Sequence, residues 1–548
     1  MDVRILIKDK KKWNYLNFKN FEVYYRDVSL NKESFYNLIS KIKNTKKLDH
    51  RYVNKVVSKL RGHFAIIIKA KKFMICIGDR ISSIPIYYSR NLKTLFISND
   101  ASSLKAKGQL RNKDDNQIIA FINSGYTLGN KTIYKNIFRI LPGQFIFYNS
   151  KTFILSSYFI FNSPKNKYKK TKDLKRKLTN ITLGILEQIR DRNYDQILIP
   201  LSAGYDSRLI LSGLKEINTK NIFCFSYGLR GNFEAKFARK VAEKLNVEWK
   251  FIELDNRSQK NFYLSDLFQK YLQYFDTYCS VPFRQDIYPL YYLKKNSFIK
   301  KNSVIINGNS GDFITGGHVP KELLSSKSKL IEKKNIGLVA DLILKKHFSL
   351  WISEVDEKKN SKIKKIISEY LIQEIEFNKN FNKYGLYEYF EFVNRQAKFV
   401  VAGQKIYDFL NLDWQLPLWD DQYILFWQKI PLNLKYKQYL YKEMLLDNNW
   451  GNVWHDIPVN ENNIKPNWIK PIRLATKIMH LPVGKSKWHT FEKKYFSYFT
   501  DNLQSYAGKS YLSILKNKNV ARNSVSWHTD EYIKQKYNDK NKINKKKV

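Results

Sequence analysis

One segment constrains the fold of this 548-residue chain more than any other. Residues 197–202 form an apolar run, Ile-Leu-Ile-Pro-Leu-Ser, which stops at the small residues Ala203 and Gly204 and is followed by a helical pattern over residues 205–212. A strand, a small-residue turn and a helix are typical of a phosphate-binding loop, because backbone N–H groups close around an anion at the positive end of the helix. We therefore predict a site for a phosphorylated ligand here.

The loop differs from two common phosphate-binding motifs. No Gly-Lys-Ser/Thr follows it and no third glycine enters the helix, which excludes a kinase-type loop and a dinucleotide fingerprint. The pattern is Ser-x-Gly-x-Asp-Ser over residues 202–207, with one carboxylate, Asp206. It resembles the pyrophosphate loop of the ATP pyrophosphatase superfamily, with Ala203 in place of the usual first glycine. The resemblance implies that ATP is cleaved to AMP and pyrophosphate.

A second turn follows another short apolar run. Residues 304–317 read Val-Ile-Ile-Asn-Gly-Asn-Ser-Gly-Asp-Phe-Ile-Thr-Gly-Gly and contain one acid, Asp312. In a doubly wound sheet, turns at the carboxyl ends of neighbouring strands face one crevice, so we expect both turns at the same site. Residues 308–313 resemble the second loop of the asparagine synthetase family, with Asn309 where that family has an acid.

Further motifs follow in the order of the same family. Residues 394–396, 416–420 and 430–431 are similar to segments of its helical half. Between the two loops, residues 223–228 have the pattern of a buried strand and residues 234–245 that of an amphipathic helix with Glu234 near its start. This alternation of strand and helix is typical of the βαβ units of a parallel sheet.

The N-terminal third carries the resemblance through residues 61–65, 78–80, 85–88, 132–134 and 141–143. In the family these segments belong to a glutaminase domain of the N-terminal-nucleophile type, built from two stacked antiparallel sheets. We expect an α+β sandwich of this kind, followed by an α/β parallel-sheet ATP pyrophosphatase domain with a helical C-terminal part. The expected boundaries are 1–160 for the glutaminase-like domain, 170–500 for the synthetase domain, and 501–548 for a C-terminal extension with a basic tail.

The glutaminase chemistry of this family depends on a cysteine directly after the initiator methionine. Here Asp2 follows Met1, and the cysteines are Cys76, Cys224 and Cys279. No terminal thiol is present to act as nucleophile with its own amine as base, and no Asn-Gly-Glu segment of the kind that holds glutamine is seen. We expect an inactive scaffold, with nitrogen supplied as free ammonia, as another amine or by a separate glutaminase.

The composition excludes several other classes of protein. The three cysteines form no Cys-x-x-Cys pair and no Cys/His cluster, which argues against a structural zinc site and a disulfide framework. No stretch approaches about 18 apolar residues without charge. We therefore expect no membrane span and no secretion, and we expect the protein in the cytoplasm.

The net charge of +48 suggests a nucleic-acid partner at first sight. The lysines are scattered along the chain, however, so we interpret the charge as a solvated basic surface and predict no specific nucleic-acid binding. The Lys/Asn-rich end, residues 534–548, is expected to fray.

The resemblance assigns a role to each loop. It implies that the first loop holds the β- and γ-phosphates of ATP, that two aspartates hold Mg²⁺, and that a small-molecule carboxylate attacks the α-phosphorus before ammonia or an amine displaces AMP. Arg208 either contacts phosphate or pairs with a surface acid. The predicted site residues are Ser202, Ala203, Gly204, Asp206, Ser207 and Gly308 for ATP, Asp206 and Asp312 for magnesium, and Asp312 and Lys465 for catalysis.

Two other functions stay open. Asn309 cannot act as a base or bring a full negative charge to magnesium, so one alternative is a catalytically silent ATP-binding relative. The other is an ATP-dependent RNA thiolation enzyme, which needs a reactive thiolate. Cys224 lies inside an apolar strand and Cys279 beside Tyr278, and neither setting is electropositive. No residue decides which carboxylate is the acceptor.

Overall fold

The computed structural model describes residues 2–45, 48–91, 94–108, 110–149, 152–163, 170–324, 330–352, 357–459 and 466–544. Its strands are β1 (Asp2–Leu6), β2 (Asn14–Phe18), β3 (Phe21–Asp27), β4 (Phe64–Ala70), β5 (Phe73–Gly78), β6 (Tyr87–Arg90), β7 (Thr94–Ser98), β8 (Phe138–Arg139), β9 (Gln144–Asn149), β10 (Phe153–Ser157), β11 (Gln196–Pro200), β12 (Ile222–Gly228), β13 (Glu248–Glu253), β14 (Ser303–Ile306), β15 (Trp351–Ile352), β16 (Asp413–Gln415) and β17 (Val520–Ala521).

The α-helices cover both faces of the sheets and form most of the C-terminal half. They are α1 (Lys32–Asn44), α2 (His50–Val57), α3 (Ala101–Lys107), α4 (Asp115–Ser124), α5 (Thr171–Arg190), α6 (Tyr205–Glu216), α7 (Phe233–Lys244), α8 (Asn256–Leu264), α9 (Asp266–Phe275), α10 (Ile287–Lys295), α11 (Gly311–Ile314), α12 (Gly337–His347), α13 (Glu357–Phe377), α14 (Lys383–Phe390), α15 (Lys405–Phe409), α16 (Asp421–Gln428), α17 (Leu432–Lys435), α18 (Tyr439–Asn448), α19 (Ile469–Met479), α20 (Lys485–Tyr495), α21 (Ser497–Thr500), α22 (Tyr511–Leu515) and α23 (Ser524–Asn544). A π-helix, Glu391–Val400, continues α14.

The N-terminal region stacks two sheets between helices. The larger sheet has the order β10-β9-β5-β4-β3-β2 and is antiparallel throughout, and the smaller has the order β1-β7-β6-β8. Side chains alternate along β4: Ala65 and Ile67 lie between the sheets in a cluster with Ile97, whereas Phe64 and Ile66 lie in the cluster under α1 and α2. The predicted sandwich is confirmed, with one parallel pair, β1 and β7, in the smaller sheet.

The second part of the chain contains a parallel sheet of order β13-β12-β11-β14-β16. Its central strand is apolar on both faces, with Ile197, Leu198 and Ile199 all buried, as expected for a parallel strand covered by helices on both sides. From β11 the chain builds outward on one side through β12 and β13, and β14 and β16 add to the other side. The predicted α/β fold is confirmed, and the strand order reverses between β11 and β14.

The C-terminal residues differ from the expectation of a frayed tail. Helix α23 extends to Asn544, and its Tyr532 ring stacks on Phe121 of α4 with ring centroids 5.0 Å apart. Lys536 pairs with the carboxylate of Asp276. The prediction of fraying is therefore wrong for residues 534–537, where the ion pair of Lys536 and the contact of Lys113 with the Tyr537 ring hold the helix against the rest of the protein. Residues 545–548 lie outside the described residues.

Buried ion pairs join the N-terminal sandwich to the synthetase part. Arg26 of β3 makes a two-pronged contact with the carboxylate of Asp408, with Nη1 3.0 Å from Oδ2. Arg80 Nη1 lies 3.0 Å from Asp421 Oδ2, which also accepts the backbone N–H of Gly62 at 2.8 Å. Both carboxylates are buried, so the two parts pack through desolvated charges as well as apolar surface.

Candidate active site

The two loops predicted from the sequence meet where the strand order of the parallel sheet reverses. The first leaves β11 and enters α6, and the second leaves β14 and enters α11. Because β11 and β14 are hydrogen-bonded neighbours, the loops lie side by side and line a crevice of about 290 Å³. A crevice beyond the carboxyl ends of the strands, at a reversal of strand order, is the usual ligand site of open α/β sheets.

The first loop is held in shape by its own serines. The backbone N–H of Ser202 donates to Ser207 Oγ at 3.0 Å, and the N–H of Gly204 donates to Ser202 Oγ at 3.2 Å. Ala203 is buried and belongs to the large apolar cluster around the parallel sheet. Helix α6 begins without a capping side chain. Its first N–H groups and the positive end of its dipole are therefore available to an anion.

The second loop approaches the first so closely that little room is left for a side chain at Gly308. An ideal Cβ on Gly308 would lie 3.0 Å from the Cβ of Asp206. The next turn is fixed by Ser310, which adopts a left-handed φ of 66° and donates its hydroxyl to Oε1 of Gln396 at 2.5 Å. Through this bond the π-helix positions the second loop.

Asp206 and Asp312 are neighbours across the two loops. The backbone N–H of Asp312 donates to Asp206 Oδ2 at 3.0 Å, and the hydroxyl of Tyr441 donates to Oδ1 at 3.2 Å. Burial, together with the negative charge of Asp312, raises the pKa of Asp206 to about 8. The predicted site residues Ser202, Asp206, Ser207, Gly308 and Asp312 all line the same crevice.

Behind Asp312 lies a histidine that the sequence analysis missed. His318 Nε2 is 2.9 Å from Asp312 Oδ2, and His318 Nδ1 contacts Oε1 of the buried Glu391. Burial alone lowers the pKa of His318, but the two carboxylates raise it to about 9, so the ring is an imidazolium at neutral pH. Against the effect of burial, His318 in turn lowers the pKa of Asp312. The available signal was its position, directly after Gly317.

Further basic groups, from α12 and the π-helix, lie around the carboxylate of Glu391. Its carboxylate lies 3.1 Å from Lys346 Nζ and 3.4 Å from both His347 Nε2 and Arg395 Nη1. Burial lowers the pKa of His347 to about 4, so that ring is neutral. The charged groups around this one glutamate leave the second loop in a positive environment.

A second cavity, of about 300 Å³, adjoins the crevice. Asn309, Ser310 and Asp312 line both spaces. The walls of the second cavity carry two guanidinium groups, those of Arg284 and Arg395. Residues after 500, including Leu503 and His528, complete it. Guanidinium groups recognise carboxylate and phosphate geometry, which makes this side cavity suitable for an anion.

Arg208 plays neither of its two predicted roles. Its side chain is buried, and its two terminal nitrogens donate to backbone carbonyls. The four acceptors are the carbonyls of Ala203, Val453, Ile457 and Pro458. The guanidinium therefore ties the first loop to the segment after α18. Lys465 lies outside the described residues, so its role stays a prediction.

Two family models match the chain. The model described as Asparagine synthase matches residues 194–446, and the model described as Glutamine amidotransferase domain matches residues 29–159. The fold and the first match define an ATP-dependent carbon–nitrogen ligase. Residues 194–446 form an asparagine synthase domain, and a glutaminase-like domain precedes it at residues 29–159. The matched ranges fall inside the predicted domains, whose boundaries stay predictions.

Solved structures similar to this chain are synthetases and amidotransferases. They include an NH3-dependent NAD synthetase from Campylobacter jejuni (15% identity, covering 37% of this chain and 95% of that one, TM-score 0.20), an NMN synthetase from Francisella tularensis (14%, 55% and 100%, TM-score 0.19) and a glutamine phosphoribosylpyrophosphate amidotransferase from B. subtilis (9%, 43% and 71%, TM-score 0.19). TM-scores this low carry no argument about function. No curated protein matches the chain.

Within the described ranges, no helix combines the length and the apolar character that crossing a bilayer requires.

Proposed function

We propose that the protein uses ATP and magnesium to activate a carboxylate as an acyl-adenylate and transfers ammonia or another amine to it, without glutaminase activity of its own. One observation carries the proposal: Asp206 and Asp312 come from two loops of adjacent strands and meet within one crevice, joined by the 3.0 Å hydrogen bond between them. A phosphate-binding turn and a pair of carboxylates at one place are what ATP·Mg²⁺ requires.

The donor set fits magnesium. Asp206 and Asp312 present carboxylate oxygens, which Mg²⁺ prefers. Burial and the negative charge of Asp312 raise the pKa of Asp206, and a cation held between the two carboxylates would favour their ionised forms. Among the described residues there is no group of three or more His, Cys, Asp or Glu side chains suited to a metal. Phosphate oxygens and water would complete the coordination. When bound, Mg²⁺ offsets the negative charge that develops on the leaving pyrophosphate.

The side chains of the crevice then have separate tasks. The hydroxyls of Ser202 and Ser207 and the N-terminus of α6 bind the terminal phosphates. Tyr441 orients Asp206, and His318 keeps Asp312 ionised and in place. The acceptor carboxylate attacks the α-phosphorus and pyrophosphate leaves. The amine nitrogen then attacks the acyl carbon, AMP departs with the bonding pair, and the amine loses a proton.

The acceptor belongs in the side cavity. That cavity shares Asn309 and Asp312 with the crevice, so a carboxylate bound in it lies beside the crevice that we assign to ATP. Arg284 lies 3.4 Å from Glu531, and Arg395 lies 3.4 Å from Glu391. Both contacts are long for ion pairs, which favours an acceptor that brings negative charge to the two guanidinium groups.

The cysteines support the absence of a glutaminase. Cys76, Cys224 and Cys279 are buried, and burial raises the pKa of each thiol. A glutaminase needs an accessible thiolate, and so does RNA thiolation. Both activities are therefore disfavoured for this chain.

The test is pyrophosphate release from ATP and magnesium with ammonium, scanned across aspartate, uronic acids and other carboxylates. We expect release that depends on one class of acceptor, AMP in equal amount, and no turnover when glutamine replaces ammonium. Asp206→Ala and Asp312→Ala should be inactive. Asp191→Ala serves as the matched control, because this acid is exposed at the end of α5. Full turnover in either of these two variants would contradict the assignment of Asp206 and Asp312 as magnesium ligands.

Silence of the native protein with ATP binding intact would favour the binding-only alternative. Asn309 lines both cavities and brings an amide where the family has an acid. Turnover gained by Asn309→Asp would then assign the silence to that position. Glutamine-dependent turnover equal to that with ammonium would contradict the proposed absence of a glutaminase.

A further inference from the structure

One helical hairpin exposes a continuous run of large apolar side chains. It comprises α19, the turn at 481–483 and the start of α20. Seven large apolar residues within 468–483 are between 48% and 75% exposed, namely Trp468, Ile472, Leu474, Ile478, Met479, Leu481 and Val483. Elsewhere in the described ranges, large apolar residues this exposed are at least 20 positions apart along the sequence. Scattered ones are normal on a protein surface, whereas a contiguous patch marks an interaction surface.

The helix is amphipathic with its apolar face outward. At about 100° per residue, Ile472, Leu474, Ile478 and Met479 fall within one arc of roughly 160°. The inward face is carried by Ile469, which packs in a small cluster with aromatic rings of α20 and the residues after it. The outward face is thus left without a partner among the residues that the structure describes, the reverse of the usual arrangement of a surface helix.

Basic residues surround this face. Residues 466–496 contain seven Lys or Arg and one acid, Glu492, which is paired with Arg473. Four of the lysines around the apolar residues are exposed, namely Lys470, Lys477, Lys485 and Lys487. An apolar face with a tryptophan and a lysine-rich border is typical of a helix that lies in a membrane interface, since lipid phosphates attract the lysines.

We propose that residues 466–487 dock the protein on an anionic lipid bilayer, with the apolar face of α19 in the headgroup boundary and the lysines at the lipid phosphates. Charge complementarity selects this occupant over a second copy of the chain. A two-fold contact through the same face would bring two lysine-rich borders together, and like charges disfavour such a contact. The proposal does not depend on the chemistry proposed above.

The docking face is connected to the crevice by a short path. The Trp468 ring contacts the ring of Phe499, with centroids 5.4 Å apart. Three residues later, Asn502 Oδ1 accepts the backbone N–H of Leu229 after β12, and Leu503 lines both cavities. Docking would therefore hold the mouth of the site near the lipid surface.

Flotation of the full-length protein with lipid vesicles tests the proposal. The vesicles are phosphatidylcholine alone, or phosphatidylcholine with about 30% phosphatidylglycerol. We expect binding to the anionic vesicles and at least tenfold weaker partitioning to the neutral ones. Leu474→Gln/Ile478→Gln/Leu481→Gln should lower partitioning at least tenfold. The matched control is Leu264→Gln/Leu446→Gln/Leu512→Gln, at exposed leucines elsewhere on the surface, and should bind as the native chain does.

A second pair of variants tests the charges. Lys470→Gln/Lys477→Gln/Lys485→Gln should weaken binding to anionic vesicles, whereas Lys19→Gln/Lys32→Gln/Lys71→Gln, with the same charge change on the N-terminal domain, should not. Circular dichroism and a thermal melt verify that each variant is folded.

Three outcomes would overturn the proposal: no binding of the native protein to anionic vesicles, equal binding to both kinds of vesicle, or unchanged binding of the leucine and isoleucine variant. Light scattering adds a fourth. If the native chain is a dimer and this variant is a monomer, the face is an interface between copies.

Discussion

Asp206 occupies the space into which a side chain on Gly311 would project. An ideal Cβ on Gly311 would stand 2.4 Å from the Cγ of Asp206, a distance that real Cβ atoms essentially never show. The carboxylate of the first loop is thus seated directly against the backbone of the second. The two loops form one unit, and their fit depends on the absence of a single methyl group.

Gly311→Ala should therefore lower the rate of catalysis on the order of 100-fold while leaving the protein folded. The added methyl group displaces the Asp206 carboxylate, and a displacement of about 1 Å at a catalytic group costs on the order of 100-fold in rate. Pyrophosphate release measures the effect. Gly184→Ala is the control, because a Cβ there meets nothing within 4 Å and the residue lies inside α5. It should keep full activity and gain about 0.5–1 kcal/mol of stability. Normal turnover of Gly311→Ala would show that the loops tolerate separation.

Replacement of His318 should change how stability depends on pH. The pKa of this ring rises from an ordinary 6.5 to about 9 on folding, because Glu391 and Asp312 flank it. Its stabilising contribution is fully present below pH 6.5 and is lost as the pH rises through about 9. The melting temperature of the native protein should fall across this interval more steeply than that of His318→Gln. His455→Gln, at an exposed position, should follow the native curve. Parallel curves for all three proteins would contradict the ion cluster.

Magnesium binding without ATP should be linked to proton release from Asp206. The pKa of this carboxyl is about 8 because of burial and the adjacent Asp312, and the metal requires the ionised form. The apparent affinity for Mg²⁺ should rise about tenfold per pH unit below this value and level off above it. Calorimetry in two buffers of different ionisation enthalpy reports both affinity and proton release. Asp206→Asn should lose the dependence and Asp191→Asn should retain it. A native affinity independent of pH would refute the linkage.

A buried ion pair beside the second loop should make a large contribution to stability. Lys435 is fully buried, its ammonium contacts Glu388 Oε1, and its backbone carbonyl lies where a Cβ on Gly316 would clash. Lys435→Ala leaves the carboxylate of Glu388 buried without its cation, which costs about 3–5 kcal/mol in the free energy of unfolding. Urea denaturation measures this. Lys270→Ala, on the exposed surface of α9, should stay within about 0.5 kcal/mol. A cost below about 1 kcal/mol for Lys435→Ala would contradict the expected contribution of this ion pair.

The sequence was informative where one local pattern determines the structure. A buried strand that ends in small residues before a helix gives the position of both loops, and the rule for parallel sheets places them at one crevice. This reasoning found Ser202, Asp206, Ser207, Gly308 and Asp312, which line the same space.

The rest of the site depends on contacts that no local pattern encodes. Glu391 reaches His318 across 73 positions of the sequence, and Arg208 bonds carbonyls about 250 positions away. The pattern of α19 predicts an amphipathic helix, but not which face turns outward, because that depends on the aromatic cluster beneath it. Burial of Arg208 likewise follows from the path of residues 453–458, which the residue types do not fix.

The buried contacts between the N-terminal sandwich and the synthetase part bear on whether the sandwich could be deleted. Deleting the N-terminal sandwich would remove the arginines that form ion pairs with the buried carboxylates of Asp408 and Asp421. It would also leave the ammonium of Lys398 without the carbonyls of Thr127 and Gly129 that accept its hydrogen bonds at 2.6 Å. The glutaminase-like domain is thus built into the fold of the synthetase part, and the buried charges between them would oppose its removal whatever chemistry it performs.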